Sequence, residues 1–215
     1  MHYTSVLFDL DGTLLDTLGD LTAAMNRALT RHGLPERTRQ QMRAALGNGA
    51  RRLMELSVPA GTDGALFETL LAEYNADYAA HCRIETAPYP GVDALLRQLH
   101  AQGRKLAIVS NKPDEAVRAL RAEFFADTVP IAVGEKQGIR RKPAPDTLLA
   151  AMAQLGAERA STVYVGDSEV DIATARAAGL PCISVLWGFR DRDLLEQAGA
   201  QQFATDTGEL AGLLD

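Results

Sequence analysis

At 215 residues, 47% apolar and 23% charged, the chain has the composition of a folded globular protein and is long enough for one α/β domain carrying a smaller insert. Its net charge of −6 argues against a nucleic-acid face, despite the local cluster Arg140, Arg141 and Lys142. Two distant cysteines, Cys82 and Cys182, with no C-x-x-C spacing argue against a disulfide or zinc framework. The lack of any apolar run of about 18 residues argues against a membrane helix. The opening residues, Met1 to Leu10, carry no basic segment ahead of a long apolar run, so no signal peptide is expected and the expected compartment is the cytoplasm.

Ser5-Val6-Leu7-Phe8-Asp9-Leu10 is a short apolar run, the pattern of a strand buried on both faces of a parallel sheet; Gly12 and Thr13 break it. From about Leu18 the apolar residues Leu21, Ala24, Met25, Ala28 and Leu29 recur at three and four, which predicts a helix ended by His32-Gly33. Further helices are expected over Gln40 to Leu46, Ala50 to Leu56 and Leu66 to Tyr78, punctuated by Gly47-Asn48-Gly49 and Pro59-Ala60-Gly61. This all-helical stretch, 17–87, is too long for a single crossover and is expected to be an inserted small domain, with 1–16 and 88–215 forming the core domain. After Pro90-Gly91 the rhythm alternates. Helices are expected at Val92–Gln102, Asp114–Phe124, Ala144–Leu155 and Glu169–Ala178, and strands at Lys105–Val109, Ile131–Val133, Thr162–Val165 and Pro181–Leu186. Short helices then fit Asp193–Gln197 and Glu209–Leu213. Strand alternating with helix predicts a parallel, doubly wound α/β sheet.

Ligands of such sheets bind beyond the carboxyl ends of the strands, and the reactive residues of this chain follow the apolar runs. On extended backbone Asp9 and Asp11 would share a face, and two close carboxylates need a cation or a shared proton. One can serve as nucleophile, forming an acyl phosphate, and the other as acid and base; a solvated acidic turn gives the same letters. Gly166-Asp167-Ser168-Glu169-Val170-Asp171 places more acids after a strand and in the first helical turn, where they could also cap the helix. Oxygen-only ligands suit Mg²⁺, with Asp167 the better ligand and Asp171 supporting from outside or pairing with Lys142. His2, His32, His81 and His100 are scattered, which disfavours zinc or a histidine triad. Ser110-Asn111-Lys112-Pro113, read as the lead into a helix N-terminus, offers a phosphate cradle or an ordinary cap. Lys142, between Arg141 and Pro143, offers a countercharge for phosphate or is a surface lysine.

Taken together, the four motifs in this order resemble the haloacid dehalogenase superfamily over nearly the whole chain. The resemblance implies a Rossmann-like core, an aspartyl-phosphate intermediate and Mg²⁺. It makes Asp9 nucleophile and metal ligand, and Asp11 the general acid and base, touching the metal through its main-chain carbonyl. Ser110, Asn111 and Lys142 would bind the phosphoryl group, Asp167 would complete the ligands, and the helical insert would be a cap that excludes water and selects substrate.

Within the superfamily the Phe8–Thr17 stretch, Gly47-Asn48-Gly49 and Trp187-Gly188-Phe189-Arg190 are similar to phosphoglycolate phosphatases, which implies hydrolysis of 2-phosphoglycolate. Asn48, Gly49 and Arg51 are then candidates for binding a substrate carboxylate, against the reading of a plain helix start. The presence of Asp11 disfavours a dehalogenase. The lack of lysine between Thr17 and Ala87 disfavours Schiff-base chemistry, and Leu18-Gly19-Asp20-Leu21 lacks the histidine of the hexose-phosphate mutases. A pyrophosphatase or a sugar-phosphate or nucleotide phosphatase fits the same core motifs, and a non-catalytic phosphate-binding regulator is the alternative of another class. The expected partner is a small phosphorylated metabolite, with no nucleic acid or membrane partner, and the expected assembly a monomer or homodimer.

Overall fold

The computed structural model describes residues 3–215; Met1 and His2, which the core-domain range, the signal-peptide reading and the histidine survey include, lie outside them. The chain divides into two compact units, one of Met1–Leu15 with Pro88–Asp215 and one of Asp16–Ala87. Where the chain passes between them, β2 (Leu15–Asp16) and β3 (Ala87–Pro88) pair as a two-stranded ribbon.

The first unit is built on β1 (Ser5–Phe8), β4 (Lys105–Pro113), β5 (Ile131–Glu135), β6 (Thr162–Gly166), β7 (Cys182–Val185) and β8 (Gln202–Ala204). Their order is β5–β4–β1–β6–β7–β8, and every paired neighbour is parallel. β1 is central and wholly buried, which is why Val6, Leu7 and Phe8 follow one another without alternation. Leu7 lies in register with Ala107 on one side and Tyr164 on the other. The chain builds outward from β1 through β4 to β5, then returns to the other side of β1 as β6. That reversal puts a switch point between the ends of β1 and β6, the place where doubly wound sheets bind ligands.

The helices of this unit are α5 (Val92–Ala101), α6 (Asp114–Phe124), α7 (Asp146–Leu155), α8 (Glu169–Ala178), α9 (Arg192–Gln197) and α10 (Thr207–Leu214). α7 and α8 bring Leu148, Ala151, Met152, Ala175 and Ala178 onto Leu7, Ala107, Val109 and Tyr164 in one buried cluster. A fully buried leucine such as Leu7 contributes about 2–3 kcal/mol by leaving water, and its truncation would cost about 2–5 kcal/mol.

Several strands differ from the sequence-based expectation: β1 ends at Phe8 rather than Leu10, β5 runs on to Glu135 rather than Val133, and β2 and β3 have no counterpart in it. β4 does not stop at Val109 but continues through Ser110-Asn111-Lys112 to Pro113, with a register shift against β5 between Val109 and Pro113. Polarity suggested a strand end there, whereas Ser110, Asn111 and Lys112 are buried polar residues on extended backbone. The edge strand β8 has three residues, too few for an alternation to show.

The second unit holds α1 (Leu18–Arg31), α2 (Arg39–Ala45), α3 (Gly49–Ser57) and α4 (Gly64–His81). Leu21, Ala24, Met25, Ala28 and Leu29 form the buried stripe of α1. A Thr38–Gln41 capping box starts α2, and the Asp63 carboxylate accepts from the Ala65 and Leu66 amides to start α4. α1 and α4 are tied by Arg27 Nη2 to the buried Asp77 Oδ2 at 2.6 Å. The buried Asp20 carboxylate accepts from three consecutive amides, those of Ile84, Glu85 and Thr86, at 2.9–3.1 Å, and so fastens the returning segment to the start of α1.

Candidate active site

β1 ends in Asp9, whose amide still donates to Val165 O on β6 at 2.8 Å, so the first acid leaves the sheet beside the last residues of β6. Asp167 follows β6 directly, and Asp171 sits in the first turn of α8. One carboxylate oxygen from each of Asp9, Asp167 and Asp171 lies within 4.8 Å of the others, and all three residues are buried. Lys142 reaches the same point from the loop ahead of α7. Its Nζ lies 2.8 Å from Asp9 Oδ1, 2.7 Å from Asp171 Oδ1 and 3.1 Å from the Tyr164 hydroxyl. Only the latter two are aligned as hydrogen bonds; Asp9 Oδ1 is in ion-pair reach but has no hydrogen-bond partner.

The charge balance follows from this packing. Burial pushes Asp9 well above the usual carboxylate range, Asp171 adds to the shift, and Lys142 only partly offsets it. Burial and Asp171 likewise raise Asp167 to about 7, against the amide of Phe189 and the charge of Lys142. Burial works against the charge of Lys142, but Asp171 and Asp9 outweigh it and raise its pKa. Three buried carboxylates beside one ammonium leave an excess of negative charge that a divalent cation would neutralise. The donor set, oxygen only, fits a hard cation such as Mg²⁺, and the orphaned Asp9 Oδ1 offers a lone pair. Of the three, Asp171 is the most engaged. Its Oδ2 accepts from Ser168 N at 3.1 Å and Ser168 Oγ at 2.6 Å, and its Oδ1 from Lys142 and Tyr164.

Asp11 differs from the shared-face expectation. Period-two geometry holds only on a strand, and β1 ends at Phe8. Beyond it the chain closes a tight turn, with Leu15 N donating to Leu10 O at 3.0 Å and Gly12 at φ +84°. The Asp11 carboxylate pairs with Lys112 Nζ at 3.0 Å, and it is Asp171 that joins the converging side chains. At the end of β4, Ser110 Oγ accepts from the Lys112 amide at 3.2 Å. Asn111 exchanges two hydrogen bonds with the Lys142 main chain, at 2.8 and 3.0 Å, and so anchors the lysine loop to the sheet.

The remaining predicted residues belong to the helical unit. Asn48 is the N-cap of α3 and makes no side-chain cap bond, and Gly49 has φ +77°. Both terminal guanidinium nitrogens of Arg51, Nη1 and Nη2, donate to Glu68, at 2.8 and 2.9 Å, and the group lies over the Phe67 ring. Sequence reasoning passed over three contributors. Tyr164 carried a usable signal, since a phenol in a buried strand needs a polar partner. Lys112 and Thr13, whose hydroxyl donates to Asp167 Oδ1 at 3.3 Å, carried none beyond their neighbourhood.

A doubly wound parallel sheet with buried acids and a lysine at its switch point is the framework of an α/β enzyme. The chain matches the haloacid dehalogenase-like hydrolase family over residues 6–185 and belongs to it. It is 36% identical over 187 residues to a phosphoglycolate phosphatase of Xanthomonas campestris pv. campestris, covering 86% of this chain and 84% of the relative. It is 31% identical to the N-acetylmuramic acid 6-phosphate phosphatase of Pseudomonas aeruginosa, covering 100% of this chain and 96% of the relative. A crystal structure from Lactobacillus delbrueckii subsp. bulgaricus, provisionally assigned as a phosphoglycolate phosphatase, superposes with a TM-score of 0.94 at 36% identity, over 100% of this chain and 99% of that one. The protein is a phosphatase of this family, a phosphoric monoester hydrolase.

Proposed function

We propose that the protein hydrolyses 2-phosphoglycolate, or a closely related small phosphomonoester, by way of a phosphorylated Asp9. The observation that carries the reading is the buried convergence of Asp9, Asp167 and Asp171 around Lys142 at the switch point. Asp9 and Asp167 would hold Mg²⁺ together with the Asp11 main-chain carbonyl, with Asp171 as the brace of Lys142. The cation, when bound, neutralises the acids and the phosphate oxygens. An Asp9 carboxylate oxygen attacks phosphorus as the bond to the substrate oxygen breaks, and Asp11 delivers a proton to that oxygen. Asp11 then takes a proton from water, which attacks phosphorus and releases phosphate and free Asp9. Lys142, Ser110 and Asn111 at the end of β4 bind the phosphoryl oxygens, and Lys142 is stationed to offset charge in the transition state.

The helical unit, acting as the cap, supplies the candidate residues for substrate choice, Asn48, Gly49 and Arg51. A substrate carboxylate would have to draw Arg51 away from Glu68. Arg51→Ala tests this: a lowered kcat/KM on phosphoglycolate supports the assignment, and an unchanged value removes it. A second reading, a sugar-phosphate phosphatase, is favoured by the Pseudomonas aeruginosa relative, which covers this chain completely. Hydrolysis of phosphoglycolate and of N-acetylmuramic acid 6-phosphate, each with Mg²⁺ and with chelator, separates the two. The first reading expects the higher kcat/KM on phosphoglycolate. Activity on neither, or activity indifferent to chelator, would count against the scheme.

A further inference from the structure

The segment Trp187–Arg190, after β7, has no part in the scheme above, yet each of its residues is fixed to the loops that carry Asp9 and Asp167. The Trp187 indole Nε1 donates to Thr13 O at 3.0 Å, and the Thr13 hydroxyl donates to Asp167 Oδ1 at 3.3 Å. The Phe189 amide donates to the other oxygen, Asp167 Oδ2, at 2.7 Å. Gly188 leaves no room for a side chain, since a Cβ there would lie 2.3 Å from Asp167 Cβ and 2.4 Å from Gly12 O. A Cβ on Gly12 would in turn meet Asp167 Oδ2 at 2.4 Å and the Phe189 ring at 2.8 Å. The buried Arg190 closes the arrangement on Glu169, two positions beyond Asp167, through Nε at 2.8 Å and Nη2 at 3.3 Å.

We infer that Trp187–Arg190 is a positioning loop that sets the Asp167 carboxylate, with the Trp187 indole N–H as the tie between this loop and the Asp9 turn. The inference rests on the reading that Asp167 holds the cation. Both oxygens of Asp167 are oriented from outside, one by the Phe189 amide and one by Thr13, whose carbonyl Trp187 grips. Groups that orient a ligating carboxylate in this way set metal affinity, typically by about 10–100-fold on removal. The loop offers an amide and an indole donor where a metal-binding carboxylate needs its rotamer fixed, and it approaches so closely that only glycine fits at 188.

Calorimetric titration of Mg²⁺ into substrate-free protein tests the assignment on the wild type, Trp187→Phe and Asp167→Asn. Trp187→Phe keeps an aromatic ring and deletes the donor together with the five-membered ring that carries it. The expected result is Mg²⁺ binding weakened about tenfold or more in Trp187→Phe and more strongly still in Asp167→Asn. If Trp187→Phe lowers only the melting temperature and binds Mg²⁺ as the wild type does, while Asp167→Asn does not, the loop is structural and the inference is wrong. If Asp167→Asn also binds as the wild type does, Asp167 is not a ligand and the underlying reading falls with it. Should Trp187→Phe fail to fold, the wild type alone decides, because Trp187 is the only tryptophan in the chain. Its emission should change saturably at the calorimetric Kd, and emission unmoved by Mg²⁺ would overturn the inference.

Discussion

Lys142 is the residue on which the site's electrostatics balance. Its ammonium donates to Asp171 and Tyr164 and lies in ion-pair reach of Asp9, all in a buried setting. Lys142→Ala should therefore lower kcat by about 10²–10³, the scale of losing one transition-state donor. It should also reduce stability by roughly 3 kcal/mol, because the acids beside it lose their countercharge; steady-state kinetics and urea unfolding read the two effects. Asp167 gives a prediction of its own. In the metal-free protein its folded pKa, about 7, stands above the value it would have unfolded. The folded state then holds more protons between about pH 4 and pH 7, so stability falls as pH rises through that window. The melting temperature of chelator-treated protein should be higher at pH 5.5 than at pH 7.5. Asp167→Asn should flatten that dependence and stabilise the metal-free protein by about 1–2 kcal/mol. A chelated wild type that melts higher at pH 7.5 would contradict this account of Asp167.

At the scale of elements, the ties between segments separated in sequence matter most. Asp20 accepts from the amides of Ile84, Glu85 and Thr86. Asp20→Ala would strand three donors and should cost about 2–4 kcal/mol, seen as a lowered melting temperature and faster amide exchange at residues 84–86. Elements with long apolar periods were legible from the letters. α1 shows its stripe, and β1 shows the unbroken apolar run of a doubly covered strand. β4 was less so, because Ser110, Asn111 and Lys112 are polar residues buried for a site, and polarity alone signals a strand end. Asp11 lies beyond the strand for a related reason. The alternation argument extended β1 past Phe8, into a turn that sends its carboxylate to Lys112.

At the scale of the whole molecule, the alternation of helix and strand after Gly91 carried the fold class, since it specifies a parallel sheet before any pairing is known. The strand order did not follow from alternation. It needs the reversal that seats β6 beside β1, and that depends on packing across the sheet. The reversal also explains why acids 158 positions apart, Asp9 and Asp167, come within ligand distance: they leave adjacent strands at the same edge. None of the outer ties on Asp167 was visible in the sequence, because an amide such as that of Phe189 has no letter of its own.

The central claim, that Asp9 itself carries the phosphoryl group, is tested most directly by the turnover of Asp9→Asn with phosphoglycolate and Mg²⁺, on protein whose circular dichroism matches the wild type. The account predicts kcat lowered by about 10⁴-fold or more, the scale of losing a nucleophile. A folded Asp9→Asn enzyme that keeps the wild-type rate would contradict it.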